Sequence, residues 1–432
     1  MTPEFFSIVM FVTTLILLIF GFPVAFTLAG SALIFAFLGD LLEIFNFRML
    51  FFFPQRIYGI MINEALVAVP LFIFMGVLLE KTKIASRLLE SIADLFGSIR
   101  GGLGIGVILV GMLLAASTGI VGATVVTMGM LALPTMLKAG YSEKIATGTI
   151  CASGTLGQII PPSIVLIILA DQLGSASDQA SAMRQSLYKN ATGEFSMPSA
   201  LDVTSTSAGD MFLGAFLPGI VLVLVYFAYI FVTALIRPSM APAVPNPLGF
   251  NKEFMFKVLF SLVPPLVLIF LVLGSIIMGI ATVNQAGAIG AIGATIMAGY
   301  KLFEDRKGAL FPSALAIISI IALLLLLNNF DLNVKNLAVT QNHNPVLLAV
   351  VASFFMIIAI AWSTWRTYIV DNTLKEVMIE TSKTTSMVFI ILLGATMLTA
   401  AFRGFGGEEY VKDFLQSLPG GFWTQFIVVM AV

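Results

Sequence analysis

Two polar stretches interrupt long apolar runs: AASTGIVGAT at residues 115–124 and SGTLGQIIPPS at residues 153–163. The first lies in the middle of residues 105–137, a run too long for one membrane span and too short for two spans with a loop. Small and hydroxylated residues there favour a re-entrant helical hairpin, because its tip needs polar surroundings at membrane depth. A Gly- and Ser-rich packing seam is the alternative.

The second stretch interrupts the apolar run 145–170. Pro161 and Pro162 lack backbone donors and crowd the preceding turn, whereas Gly154 and Gly157 permit an unwound backbone. This pattern predicts a discontinuous transmembrane helix. Its free carbonyls can coordinate a cation, and the N-terminus of its second half can face an anion. A simple proline kink is the alternative.

The composition restricts the class of protein. The 432 residues are 59% hydrophobic and only 10% charged, with a mean hydropathy of +1.04, whereas soluble domains carry about 25% charged residues. A soluble enzyme and a disordered protein are therefore excluded, and a net charge of −1 argues against binding of nucleic acid. A single cysteine, Cys151, excludes a disulfide framework, and a single histidine, His343, excludes most metal sites and proton relays. The composition therefore predicts an all-α polytopic protein of the lipid bilayer.

The distribution of Lys and Arg predicts an orientation. If the N-terminus lies outside and residues 105–137 return to their own side, fifteen of the 22 cations lie inside. The seven outside are Arg48, Arg56, Arg184, Lys189, Lys335, Arg403 and Lys412. A single full crossing by residues 105–137 would move the later cationic ends outside. The count therefore favours a hairpin with both ends in the cytoplasm and a periplasmic N-terminus.

The chain also resembles itself at an offset of 319 residues. Gly101-Gly102 pairs with Gly420-Gly421, and the amphipathic residues before each pair also correspond. With opposite orientations, the halves would form an inverted repeat, the architecture of secondary transporters. Chance similarity between two apolar sequences is the alternative. The offset places the counterpart of Ser117 at position 436, so we expect the sequence up to Val432 to lack the second half of the site and to be transport-incompetent.

Five segments follow from this organisation. Residues 1–65 are N-terminal scaffold helices with an interfacial segment, and residues 66–170 are a first transport repeat with hairpin 105–137 and broken helix 145–170. A periplasmic loop (171–211) and scaffold and linking helices (212–364) follow. Residues 365–432 are the start of a second inverted repeat that ends before its hairpin tip. The loop at 171–211 is polar, and both a docking surface and a plain solvated loop fit its composition.

The same motifs resemble a known family. The matching stretches are 21–26 (GFPVAF), 115–124, 148–163, 279–291 (GIATVNQAGAIGA) and 384–387 (TTSM). They are similar to the large membrane subunit of TRAP (tripartite ATP-independent periplasmic) transporters, the DctM family. The resemblance implies an inverted-repeat, elevator-type permease with re-entrant helical hairpins and a discontinuous helix, which couples sodium to the uptake of a small carboxylate. It implies no catalytic residues and no cofactor other than sodium as the coupling ion.

The resemblance also implies site residues at the matching positions. Substrate binding is expected at Ser117, Thr118, Gly119, Gly122, Thr124, Pro162 and Ser163. A sodium half-site, largely of backbone carbonyls, is expected at Thr118, Ser153, Gly154, Thr155, Leu156, Gly157 and Pro161.

The partners implied are a small four-helix TRAP membrane subunit and a periplasmic substrate-binding protein, with the complex in the bacterial inner membrane. A stand-alone sodium–anion symporter of the same superfamily is the main alternative. An intramembrane enzyme fits less well, since no nucleophile with a base is evident in the spans. A channel would expose a continuous pore lined by charges or carbonyls.

Overall fold

A computed structural model describes residues 2–82, 84–118, 121–198, 205–244, 252–304, 306, 308–330, 332 and 343–431. All regular structure in these residues is helical. The α-helices are α1 (Pro3–Ile19), α2 (Val24–Leu41), α3 (Phe53–Met61), α4 (Ala68–Lys81), α5 (Ile84–Phe96), α6 (Gly102–Thr118), α7 (Val121–Lys138), α8 (Glu143–Thr155), α9 (Ile164–Thr192), α10 (Ala208–Ile236), α11 (Lys252–Ile277), α12 (Val283–Lys301), α13 (Phe311–Asn329), α14 (His343–Ile369), α15 (Thr373–Gly404), α16 (Gly407–Ser417) and α17 (Gly421–Ala431).

Many of these helices are suited to a bilayer. Within the described residues, six helices are long and apolar enough to cross a bilayer: α2, α10, most of α11, α13, α14 and α15. A seventh span results if α3 and the segment Glu64–Lys81, bent by 55° from each other, count as one. Apolar residues of these helices, such as Leu217, Phe270 and Ile318, are exposed. The chain is therefore a multi-pass membrane protein, as its composition predicts.

The chain divides into two compact units, of which the first comprises residues 1–63 and 383–432. Its core joins α1 and α2 to the end of α15 through the ring of Phe405, which is 1% exposed. The ring centroid lies 5.2 Å from that of Phe6 and 4.5 Å from that of Phe45. A Cβ atom at Gly39 would lie 2.6 Å from the same ring, so only glycine permits this packing.

The second unit comprises residues 64–382 and contains α6 and α7. The start of α6 and the end of α7 meet at the segment that follows α10, because the Gly101 amide donates to the Ala241 carbonyl and the Ser142 amide to the Met240 carbonyl, both at 3.0 Å. The Gly104 amide also donates to the phenol oxygen of Tyr141 at 3.3 Å. The chain thus doubles back between α6 and α7, and we call this joined end the hairpin foot.

Tyr141 is buried in the hairpin foot, between the end of α7 and the start of α8. Burial raises the pKa of its phenol above the ordinary value, and hydrogen bonds with the backbone of Gly104 and Leu103 oppose that rise. The phenol therefore remains neutral at physiological pH, and no charge is buried at the point where the two arms join.

The helix predicted at 145–170 is interrupted. The helix α8 ends at Thr155, a 3₁₀ turn spans Leu156–Gln158, and α9 begins at Ile164 after a bend that contains a cis Pro161–Pro162 bond. The prediction of a loop from residue 171 is wrong in its first half, because α9 continues to Thr192. Residues 171–192 lose apolarity but keep good helix formers such as Ala, Gln, Met and Lys. The helix ends at Gly193, whose φ is +75°.

Both halves of the chain contain the same order of local elements. In the first, α4 is followed by amphipathic α5, a left-handed glycine at Gly101 (φ +78°) and apolar α6. In the second, α15 is followed by amphipathic α16, left-handed glycines at Gly420 and Gly421, and apolar α17. A Cβ atom at Gly102 would lie 1.7 Å from the Phe96 carbonyl oxygen, which explains why glycine is required at this entry. The inversion of the halves stays a prediction.

We expect both ends of the α6–α7 pair to lie on one side of the membrane. Arg100 and Lys138, both exposed and adjacent to the hairpin foot, are suitable for replacement by cysteine in a Cys151→Ser background. A membrane-impermeant thiol reagent should label Arg100→Cys and Lys138→Cys from the same side of sealed vesicles. Lys189→Cys, near the far end of α9, serves as the control for the other side; labelling of Arg100→Cys and Lys138→Cys from opposite sides would contradict the hairpin.

Candidate functional site

The end of α8 lies between the two arms of the hairpin. A Cβ atom at Gly111 of α6 would lie 2.5 Å from Cβ of Ser153, and one at Gly154 would lie 2.3 Å from Cγ2 of Val125 in α7. Both distances are shorter than side chains tolerate, so the two glycines set how closely the helices approach. The structure thus brings the break next to both arms, and we call α6–α8 with residues 156–163 the hairpin–break site.

The unwound segment is held together by local hydrogen bonds. The Leu156 carbonyl accepts from the amides of Ile159 and Ile160, at 3.1 and 2.8 Å. The Ser163 hydroxyl donates to the Gln158 carbonyl at 2.8 Å and accepts from the Leu166 amide, so Ser163 caps α9. Since Ser163 is fully buried, its hydroxyl closes the break from within.

The residues predicted to bind substrate occupy different environments. Thr124 is 1% exposed and lies one turn into α7, and Pro162 and Ser163 are buried in the break. Gly122 is exposed, with open space where a Cβ atom would project. The backbone of residues 117 and 118 ends α6, while their side chains and Gly119 lie outside the described residues.

Apart from Thr118, the residues predicted to bind sodium lie between Ser153 and Pro161 and include buried and exposed members. Ser153, Gly154, Leu156, Gly157 and Pro161 are buried, whereas Thr155 is exposed. The hydroxyl groups of Ser153 and Thr155 donate to the Ile150 and Ala152 carbonyls, at 2.9 and 2.8 Å. Each hydroxyl oxygen keeps lone pairs that can face a cation, and the stretch offers carbonyl oxygens at its 3₁₀ turn.

Sequence reasoning missed one contact of the hairpin and an ion pair beside it. Thr127, 8% exposed, donates its hydroxyl to the Glu80 carboxylate at 2.6 Å and ties α7 to the end of α4. Lys81 next to it lies 3.1 Å from the Glu380 carboxylate at the start of α15. The available signal was the polar pair Thr124 and Thr127, spaced three residues apart on one face of an otherwise apolar helix.

The sequence profile of one family matches most of this chain. The family is described as "Tripartite ATP-independent periplasmic transporter, DctM component", and the match covers residues 11–183 and 195–374. The chain belongs to the DctM family. Both the hairpin and the break lie inside the first matched range, so the resemblance seen in the sequence motifs is confirmed. Membership in a family of transporter components agrees with the prediction that the chain is not an enzyme.

Individual relatives are similar over parts of their length. The C4-dicarboxylate TRAP transporter large permease protein DctM of Pseudomonas aeruginosa is 29% identical over 256 residues, 59% of this chain and 51% of the relative. The protein of the same name from Vibrio cholerae is 29% identical over 297 residues, 68% of this chain and 56% of the relative. The ectoine/5-hydroxyectoine TRAP transporter large permease protein UehC of Ruegeria pomeroyi is 28% identical over 224 residues, which are 52% of this chain and 44% of the relative. The chain spans about half the length of the curated relatives it matches.

Gly154→Ala should push α7 and α8 apart, because the added methyl group overlaps the Val125 side chain and approaches its backbone nitrogen to 3.3 Å. Overpacking of this kind costs about 1–3 kcal/mol, so thermal unfolding of the detergent-solubilised protein should begin at a lower temperature. Gly129→Ala on α7 is the matched control, since nothing lies within 4 Å of its new methyl group. Equal unfolding temperatures for both variants would contradict the close packing at Gly154.

Proposed function

We propose that this protein is the large permease subunit of a TRAP transporter, which couples sodium to the uptake of a small organic acid delivered by a periplasmic binding protein. Family membership supports the transporter class. The relatives' names include both C4-dicarboxylates and ectoines, so the family alone does not select the substrate.

The observation that carries the proposal is the enclosure of an unwound helix by a hairpin. Backbone groups without helical partners are tolerated at membrane depth only where protein or a polar cavity surrounds them. Here the break at residues 156–163 packs against both α6 and α7, and Ser153 and Gly154 contact them directly. Such a segment offers oxygen ligands to a dehydrated cation, as the discontinuous helices of secondary transporters do.

The proposal includes alternating access of the elevator type, in which the hairpin–break site moves as one body. The close contacts of Gly111 with Ser153 and of Gly154 with Val125 support a rigid site, because a packed seam of small residues transmits motion without repacking. The inner-membrane location, the periplasmic N-terminus and the small four-helix partner subunit belong to the same proposal and are supported by the charge distribution and the family.

We expect Thr118→Val and Ser153→Ala to raise the sodium concentration for half-maximal uptake by about tenfold each, because a cation in a dry site loses an oxygen ligand. The assay is uptake into proteoliposomes that contain the complete permease with its small subunit, and the binding protein with its ligand is added outside. Thr147→Val is the matched control, since Thr147 is an exposed residue of α8 that donates to the Glu143 carbonyl.

Each competing interpretation has its own outcome in this assay. Unchanged sodium dependence in both variants would contradict the two hydroxyl ligands, and uptake driven by protons without sodium would contradict the coupling ion. Uptake that needs no binding protein would favour the stand-alone symporter instead.

A further inference from the structure

A cavity lies beside α8, on the side that faces α10. It is a groove of about 360 Å³ between α8, α10 and α6, and its lining is mostly apolar. Two polar residues of α8, Lys144 and Thr149, are part of this lining, as are two tyrosines of α10, Tyr226 and Tyr229. The proposed transport mechanism uses none of these side chains.

The groove has a charged mouth and an apolar interior. Lys144 is exposed in the first turn of α8, next to the hairpin foot. Thr149 follows five residues later and Ala152 eight residues later, which places them about 7.5 and 12 Å deeper at a rise of 1.5 Å per residue. The helix α10 ends at this mouth, since the segment after it pairs with Ser142, so Val225 lies deeper in the groove than Tyr229.

The Thr149 side chain is 4% exposed, and its hydroxyl has no hydrogen-bond partner within the part of the chain that the structure describes. An unpaired buried hydroxyl costs free energy, so a ligand that supplies an acceptor would be favoured there. Threonine has two accessible side-chain rotamers in a helix, and one rotation exchanges its methyl and hydroxyl groups. Thr149 lines the groove and can therefore present its hydroxyl to an occupant.

We propose that this groove binds one anionic phospholipid. The ammonium group of Lys144 would pair with the phosphate, the Thr149 hydroxyl would donate to an acyl ester carbonyl, and the acyl chain would lie against Ala152 and Val225. Along α8 the two residues are separated by an axial rise of about 7.5 Å, so the phosphate would lie at the mouth and the ester carbonyl deeper in the groove. Gly148 leaves room between them, because nothing lies within 4 Å of the Cβ position there.

The charges around the mouth determine the preference for an anionic headgroup. Glu143 precedes Lys144 and is exposed, while Arg237 at the end of α10 adds a second cation to the same end of the unit. The net charge of these three residues is positive, so a headgroup with net negative charge is favoured over a zwitterionic one. A basic residue near a membrane surface contributes about fivefold in affinity for anionic lipid.

The test is native mass spectrometry of the full-length protein, released from nanodiscs of equal parts phosphatidylglycerol and phosphatidylcholine and washed in detergent. We expect one phosphatidylglycerol to persist. Lys144→Gln should lower its retention about fivefold, whereas Lys138→Gln, an exposed cation at the same end but outside the groove, should not. Thr149→Val should lower the retention of both lipids without changing their ratio.

A steric variant tests the groove independently of charge. Gly148→Leu should fill the groove and remove the retained lipid, whereas Gly214→Leu, an exposed glycine of α10 with nothing within 4 Å, should leave it bound. Equal effects of Lys144→Gln and Lys138→Gln would overturn the proposal. An unchanged lipid count in Gly148→Leu would also overturn it, and loss of a co-purifying membrane subunit in the same variant would assign the groove to a protein helix instead.

Discussion

A bilayer offers no water to pair with backbone amides and carbonyls, and this constraint governs the region around α6–α8. The chain leaves helical geometry between Thr155 and Ile164, inside the apolar run 145–170, and unpaired backbone groups are costly wherever such a run is shielded from water. The cost is reduced by covering the break with protein: the Ser163 hydroxyl bonds across it, and α6 and α7 pack on it. The glycines that permit this packing are therefore as important to the site as any polar side chain.

Close contacts that only glycine permits recur in the first unit. There Gly39 gives space to the ring of Phe405, and a Cβ atom at Gly394 would lie 2.5 Å from the Ala25 carbonyl oxygen. Lipid surrounds such helices with an environment as apolar as their own side chains, so hydrophobic burial contributes little to their association. Shape complementarity and backbone proximity contribute more, which explains why glycine positions carry so much of the information in this sequence.

The all-helical fold, the break and the doubling back of the chain at the hairpin were predictable from local chemistry. Proline restricts the backbone and glycine frees it, and the Lys and Arg distribution predicts which ends lie on the same side of the membrane. The helical course of residues 171–192 was not predicted, because polarity was taken to indicate a loop although Ala, Gln and Lys favour helix. The contact of Thr127 with Glu80 was also missed, since it joins residues 47 positions apart that no local pattern connects. The binding roles assigned to the side chains of Ser117 and Thr118 stay predictions.

The hairpin foot has a mechanical consequence. Because the Gly101 amide is hydrogen-bonded to Ala241 and the Ser142 amide to the adjacent Met240, the arms share a single short support. An arm of 17 residues is about 25 Å long, so a tilt of about 10° at the support displaces the far end by about 4 Å. The arms thus act as a lever: small adjustments in the segment after α10 are amplified at the tip, and stiffness at residues 240–241 sets how far the tip travels.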